Sequence, residues 1–133
     1  DYDRDGDLDI YVNQSGNRNY LWRNTIGGEN YLMVRVWARV GPDTYRDDIG
    51  ATVRLFDDEG NPVSGLRQIS GGESHGCQPP PLVHFGLPDG PDIPYQVSVQ
   101  MQHGGAAITQ SVVPSELGSY HLLEIYEPAT GGP

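Results

Sequence analysis

Lysine is missing from this sequence: all eight basic residues are arginines, Arg4, Arg18, Arg23, Arg35, Arg39, Arg46, Arg54 and Arg67. That excludes Schiff-base catalysis and a phosphate loop built on lysine. Cysteine is reduced to Cys77, which excludes an intrachain disulfide and a cysteine-built zinc site. No apolar run approaches the roughly 18 residues of a membrane-spanning helix, so membrane insertion is not expected. Positive charge is scarce as well. Eighteen acidic residues against eight basic ones leave a net charge of −10, a field that repels nucleic acid and acidic lipid surfaces and attracts cations.

What is plentiful is punctuation. Gly 18 and Pro 11 in 133 residues, with only 36% hydrophobics, leave little room for long helices. Strand-like alternation fills the space between the turns. Leu8, Ile10 and Val12 alternate with Asp9 and Tyr11, and Tyr20–Arg23 returns as a second short strand. In the longest alternating run, Leu32, Val34, Val36, Ala38 and Val40 share one face while Tyr31, Met33, Arg35, Trp37 and Arg39 share the other. Further strands are expected at 51–56, around 65–69, and at 83–87, 96–102, 108–113 and 122–126, with one helical turn at 115–117. The chain length suits one core-bearing domain. The expected fold is all-β: an antiparallel β-sandwich of about eight to nine strands, preceded by a short N-terminal hairpin.

The most specific local pattern opens the chain. In Asp1-x-Asp3-x-Asp5-Gly6-Asp7-x-Asp9, carboxylates at alternate positions converge on one hard cation when the backbone curls, and Gly6 permits the curl. Calcium fits best, with Asp1, Asp3, Asp5 and Asp9 giving side-chain oxygens and Asp7 its carbonyl. An EF-hand is excluded, because the twelfth position is Val12 and the exit reads as strand.

Residues 1–24, Asp1-Tyr2-Asp3-Arg4-Asp5-Gly6-Asp7-Leu8-Asp9 through Asn19-Tyr20-Leu21-Trp22-Arg23-Asn24, resemble the end of an FG-GAP (VCBS-type) repeat of integrin-like β-propellers. The remainder resembles the ASPIC/UnbV domain, through Asn30–Val36, Asp48–Leu55 and Val83-His84-Phe85-Gly86-Leu87. The resemblance implies two units, 1–26 as the closing part of a calcium-loop repeat and 27–133 as the sandwich. It implies an extracellular or periplasmic protein, a structural calcium, and upstream propeller repeats as partners. Two stretches depart from the family pattern: His75–Pro81, and Met101-Gln102-His103-Gly104 where a Trp-Pro pair is usual. The chain opens inside a motif, so it is expected to be a fragment of a longer protein, with calcium held weakly or absent in the fragment itself.

Other patterns are weighed against this one. Gly72-Glu73-Ser74-His75-Gly76 spells the nucleophile elbow G-x-S-x-G, but Pro79-Pro80-Pro81 forbids the helix that the elbow needs, so catalysis is not expected. His75, His84, His103 and His121 lack metal-ligand spacing, and His84 reads as a core or inter-strand hydrogen-bonding residue. Asp47, Asp48, Asp57, Asp58 and Glu73 read as turn acids, while Glu124 sits in a strand where Arg54 is a possible partner. Tyr31, Arg35, Trp37 and Arg39 form an aromatic and basic stripe suited to a protein or glycan partner. The expected function is thus non-catalytic binding or assembly. A carbohydrate-binding module is the alternative, and part of a hydrolase the least supported.

Overall fold

The computed structural model describes residues 1–3, 5–72, 78–118 and 120–129. Among these residues there are ten strands: a two-stranded hairpin and two four-stranded sheets that pack face to face. The hairpin pairs β1 (Ile10–Val12) with β2 (Tyr20–Trp22) in antiparallel register, Tyr11 opposite Leu21. Among the described residues the only helical element is a 3-10 turn over Pro114–Leu117.

The first sheet is built around β3 (Tyr31–Gly41). One edge of β3 is shared end to end by β7 (Leu82–Gly86), opposite residues 31–35, and β4 (Thr44–Asp47), opposite residues 37–41. The other edge takes β10 (Leu122–Tyr126), and this pair is parallel, with Glu124 opposite Arg35 and Tyr126 opposite Trp37. The second sheet runs β6 (Arg67–Gln68), β5 (Thr52–Phe56), β8 (Tyr95–Gln100), β9 (Ile108–Val112), all antiparallel.

Period-two alternation sends every second side chain between the sheets, because successive Cβ atoms in a strand point to opposite faces. Leu32, Val34, Val36, Phe85 and Ile125 come from the first sheet and meet Val53, Leu55, Tyr95, Val97 and Val99 from the second. The central residues of both sheets are fully inaccessible. Asp48 is the buried acid at the crossing from one sheet to the other. Its N–H donates to the Val36 carbonyl at 2.9 Å, and its Oδ2 accepts the Gln102 N–H at 2.9 Å, so one turn residue ties both sheets.

Two differences from the alternation pattern have physical causes. Strand β4 was not expected, since Thr44-Tyr45-Arg46-Asp47 is short and polar; it forms because β3 extends past β7 and leaves an edge to be paired. Tyr31 belongs by parity to the outer face, yet it is only 3% exposed, because the N-terminal loop lies over it.

Candidate metal centre

The acidic opening folds into a loop that rests on the outer face of the first sheet. Gly6 is buried with φ +93, and a Cβ there would run into the Tyr31 ring. Only glycine combines that backbone with that approach. The Gly6 carbonyl accepts a hydrogen bond from His84 Nε2 at 2.9 Å. The His84 ring stacks on Tyr31 at 5.4 Å, and on the other side of the phenol His121 stacks at 4.9 Å and donates from Nδ1 to the Tyr31 carbonyl at 3.1 Å. The loop is thereby seated on β3 and β7. Burial lowers the His84 pKa below the ordinary histidine value, and the Gly6 hydrogen bond opposes this in part.

Of the five aspartates expected at a cation, the structure gathers three. One carboxylate oxygen each from Asp1, Asp3 and Asp9 lies within 4.8 Å of the others, and Asp1 Oδ1 is buried without a hydrogen-bond partner. Asp9 is fixed by two backbone donors, Asn24 N–H at 2.8 Å and Tyr2 N–H at 3.2 Å. Asp5 is turned elsewhere. Its Oδ2 accepts from Arg23 Nη2 at 2.9 Å and its Oδ1 from the Asp7 N–H at 3.1 Å. Arg23 Nε also meets Asp3 Oδ2 at 2.7 Å. The Arg23 hydrogen bond, helped by the Asp7 N–H, holds the Asp5 carboxyl below the usual carboxylate range. The Asp7 side chain points toward Gly27, where any Cβ would collide with its carboxylate. Three carboxylates, one with an orphaned oxygen, are a hard-oxygen donor set that suits calcium. The same three without a cation would repel one another.

The aromatic and basic stripe splits in two. Tyr31 is buried under the loop, as above. Arg35, Trp37 and Arg39 stay together at the far end of β3, joined by Tyr126 from β10 and Tyr45 from β4, which parity along β3 alone does not reveal. Arg35 forks onto Asp47 at 2.7 and 3.1 Å, and its guanidinium carbon lies 4.1 Å from the centre of the Trp37 ring. The Trp37 indole N–H donates to Glu124 Oε1 at 3.0 Å, so Glu124 partners Trp37. Arg54, considered above as a partner for Glu124, lies on the opposite sheet. Arg39 N–H donates to Glu127 at 2.8 Å. Between the loop and this cluster a cavity of 580 Å³ opens over Leu8, Met33, Leu82 and Leu122. The elbow pattern around Ser74, with His75 and Cys77, lies outside the described residues.

A β-sandwich with an acidic-loop hairpin seated on one sheet is the class that fold and site define. The family described as ASPIC and UnbV matches residues 41–117, more than half of the chain, and the chain belongs to that family. The match covers Asp48–Leu55 and Val83–Leu87; the acidic loop and most of β3 precede it. No curated protein and no solved structure matches significantly.

Proposed function

We propose that this chain is a non-catalytic binding or assembly domain of an extracellular or periplasmic protein, with a structural calcium ion in its N-terminal loop. The observation that carries the reading is the convergence of Asp1, Asp3 and Asp9, together with a buried Asp1 oxygen that has no hydrogen-bond partner. Those three residues would hold the ion, and the ion would supply the positive charge that lets them stay together. Because Gly6 in the same loop is bonded to His84, ordering the loop would also fix the hairpin against the sandwich. Oxygen sites with few protein ligands suit compartments where calcium is abundant.

The assembly half of the reading rests on the hairpin. Ile10, Tyr11, Val12, Tyr20, Leu21 and Trp22 are all exposed, on both faces of a two-stranded ribbon. An isolated ribbon of this kind is marginal in water, and apolar residues on both sides suit a position between other sheets. Residues 1–26 are accordingly read as the closing part of a propeller-type repeat whose partners are further repeats, and 27–133 as the sandwich. A glycan site at Trp37 has less support, since Arg35 lies over the indole and Glu124 takes its N–H.

Thermal unfolding with added calcium or magnesium tests the calcium half. Millimolar calcium is expected to raise the midpoint, magnesium to do so far less, and Asp9→Asn to abolish the calcium effect. An unchanged midpoint in saturating calcium, both for this chain and for one extended upstream by a repeat, would remove the reading.

A further inference from the structure

We infer that the outer face of the second sheet carries a binding site for an acidic sugar, with Arg54 taking the carboxylate. Val53 and Leu55 of β5 and Val97 and Val99 of β8 are buried between the sheets, so by alternation Thr52, Arg54, Ser98 and Gln100 turn outward. The register sets Arg54 opposite Ser98 and Thr52 opposite Gln100. These four, with Leu66 and Ala107, line a hollow of about 320 Å³, at the lower end of the roughly 300–1,000 Å³ that ligand sites span. Arg54 is exposed, and among the described residues it has neither an ion pair nor a hydrogen-bond partner. Arg23 and Arg35, by contrast, are each held by aspartate. No acid lines the hollow, and the stretch 93–115, which supplies β8 and β9, contains no Asp, Glu, Lys or Arg. In a chain of net charge −10, this guanidinium thus stands on a neutral face without a counter-charge from its own fold.

The neighbours of Arg54 narrow the ligand. A guanidinium presents parallel N–H donors that match a carboxylate at two points. One arginine with no second cation in the hollow suits a single negative charge better than a phosphate dianion, and the negative field of the whole chain disfavours higher charge further. The Thr52 and Ser98 side chains have no hydrogen-bond partner among the described residues, and each hydroxyl can donate or accept. Gln100 donates from Nε2 to the Gly105 carbonyl at 3.1 Å, which fixes its amide and leaves Oε1 to accept from a hydroxyl. Leu66, 53% exposed, offers an apolar wall to the C–H face of a ring. A carboxylate on a polyhydroxylated ring uses all of these groups at once, whereas a simple carboxylate uses Arg54 alone and a neutral sugar leaves it without a partner. Neither the acidic loop nor Trp37 belongs to this sheet, so the site stands apart from the calcium reading.

The test is titration of the 133-residue chain with methyl glucuronide, followed by two-dimensional NMR, beside methyl glucoside, acetate and inorganic phosphate. Methyl glucuronide is expected to shift the amide signals of Arg54, Ser98 and Gln100 saturably in the millimolar range. The glucoside, acetate and phosphate are each expected to bind at least about tenfold more weakly. Arg54→Gln is expected to weaken glucuronide binding at least about tenfold, and Arg54→Lys, which keeps the charge but loses the fork, to recover only part of it. Arg46→Gln removes the same charge from the first sheet and is expected to change nothing. Glucuronide binding that survives Arg54→Gln, or that falls equally in Arg46→Gln, overturns the inference. Acetate or phosphate binding as tightly as the glucuronide makes the hollow a plain anion site and overturns it too. So does the absence of shifts across the millimolar range, and each of these failures leaves the calcium reading intact. Unfolding midpoints unchanged across the variants, as expected for substitutions at exposed positions, show that all of them fold.

Discussion

At the scale of single residues, the contact between His84 and Gly6 joins the loop to the sandwich and makes it sensitive to acid. The imidazole is half-buried, and burial pushes its pKa down from the ordinary value. A depressed folded-state pKa means that the unfolded chain takes up the proton first. The His84 contribution is therefore complete above the unfolded value of about 6.5 and is lost as pH falls toward the folded one. Urea midpoints at pH 7.5 and 5.5 should differ, the acidic one being lower, and His84→Gln should flatten part of that slope. An identical slope in the variant would show that other groups carry it. From sequence, His84 is legible as a strand residue making a polar contact, but its partner is not. Gly6 is 78 positions away, and the pairing depends on how the loop lies over Tyr31. The same limit applies to Glu124. Its strand and its outward direction follow from alternation, whereas its neighbour Trp37 follows from the parallel register of β10, which no local pattern encodes.

At the scale of elements, β3 and the hairpin are opposites. Strand β3 is flanked along both edges and contributes Leu32, Val34 and Val36 to the core with no exposure. The hairpin strands bury nothing of note. Leu32→Ala should cost about 2–5 kcal/mol of unfolding free energy, from lost transfer energy and the cavity left behind. Trp22→Ser should stay within about 0.5 kcal/mol, as substitutions at exposed positions do. Chemical unfolding of both variants would check the contrast, and a large loss at Trp22 would mean that the hairpin and sandwich unfold as one unit. Strands with apolar alternation were legible because burial on one face imposes a period of two. The edge strand β4 was not, for it buries none of its four side chains fully and is held by backbone pairing with the overhang of β3.

For the whole molecule the governing quantity is charge. Ten excess negative charges on 133 residues repel one another more in the compact state than in the expanded one. Raising sodium chloride from about 10 to 150 mM shortens the screening length from about 30 to about 8 Å, and the thermal midpoint at pH 7 should rise. A fall would mean that the ion pairs of Arg23 and Arg35 outweigh the repulsion. The spacing of the acidic loop marks it as a candidate for a cation, and three of its carboxylates do come together. Which of them come together was not legible, because the spacing treats Asp1, Asp3, Asp5 and Asp9 as equivalent and does not reveal that Arg23, just after β2, returns to bond Asp3 and Asp5.

The parallel ladder between β3 and β10 joins residues 33–37 to residues 122–126. While the polypeptide is being synthesised, β3 with β4 and β8 with β9 can zip as neighbours, but one flank of β3 stays open until residues 122–126 have left the ribosome. Closing so long a loop is slow. In that interval the nascent chain presents the bare edge of its longest strand. It is thus during biosynthesis, and not in the finished fold, that this protein is most exposed to mispairing and most in need of a chaperone.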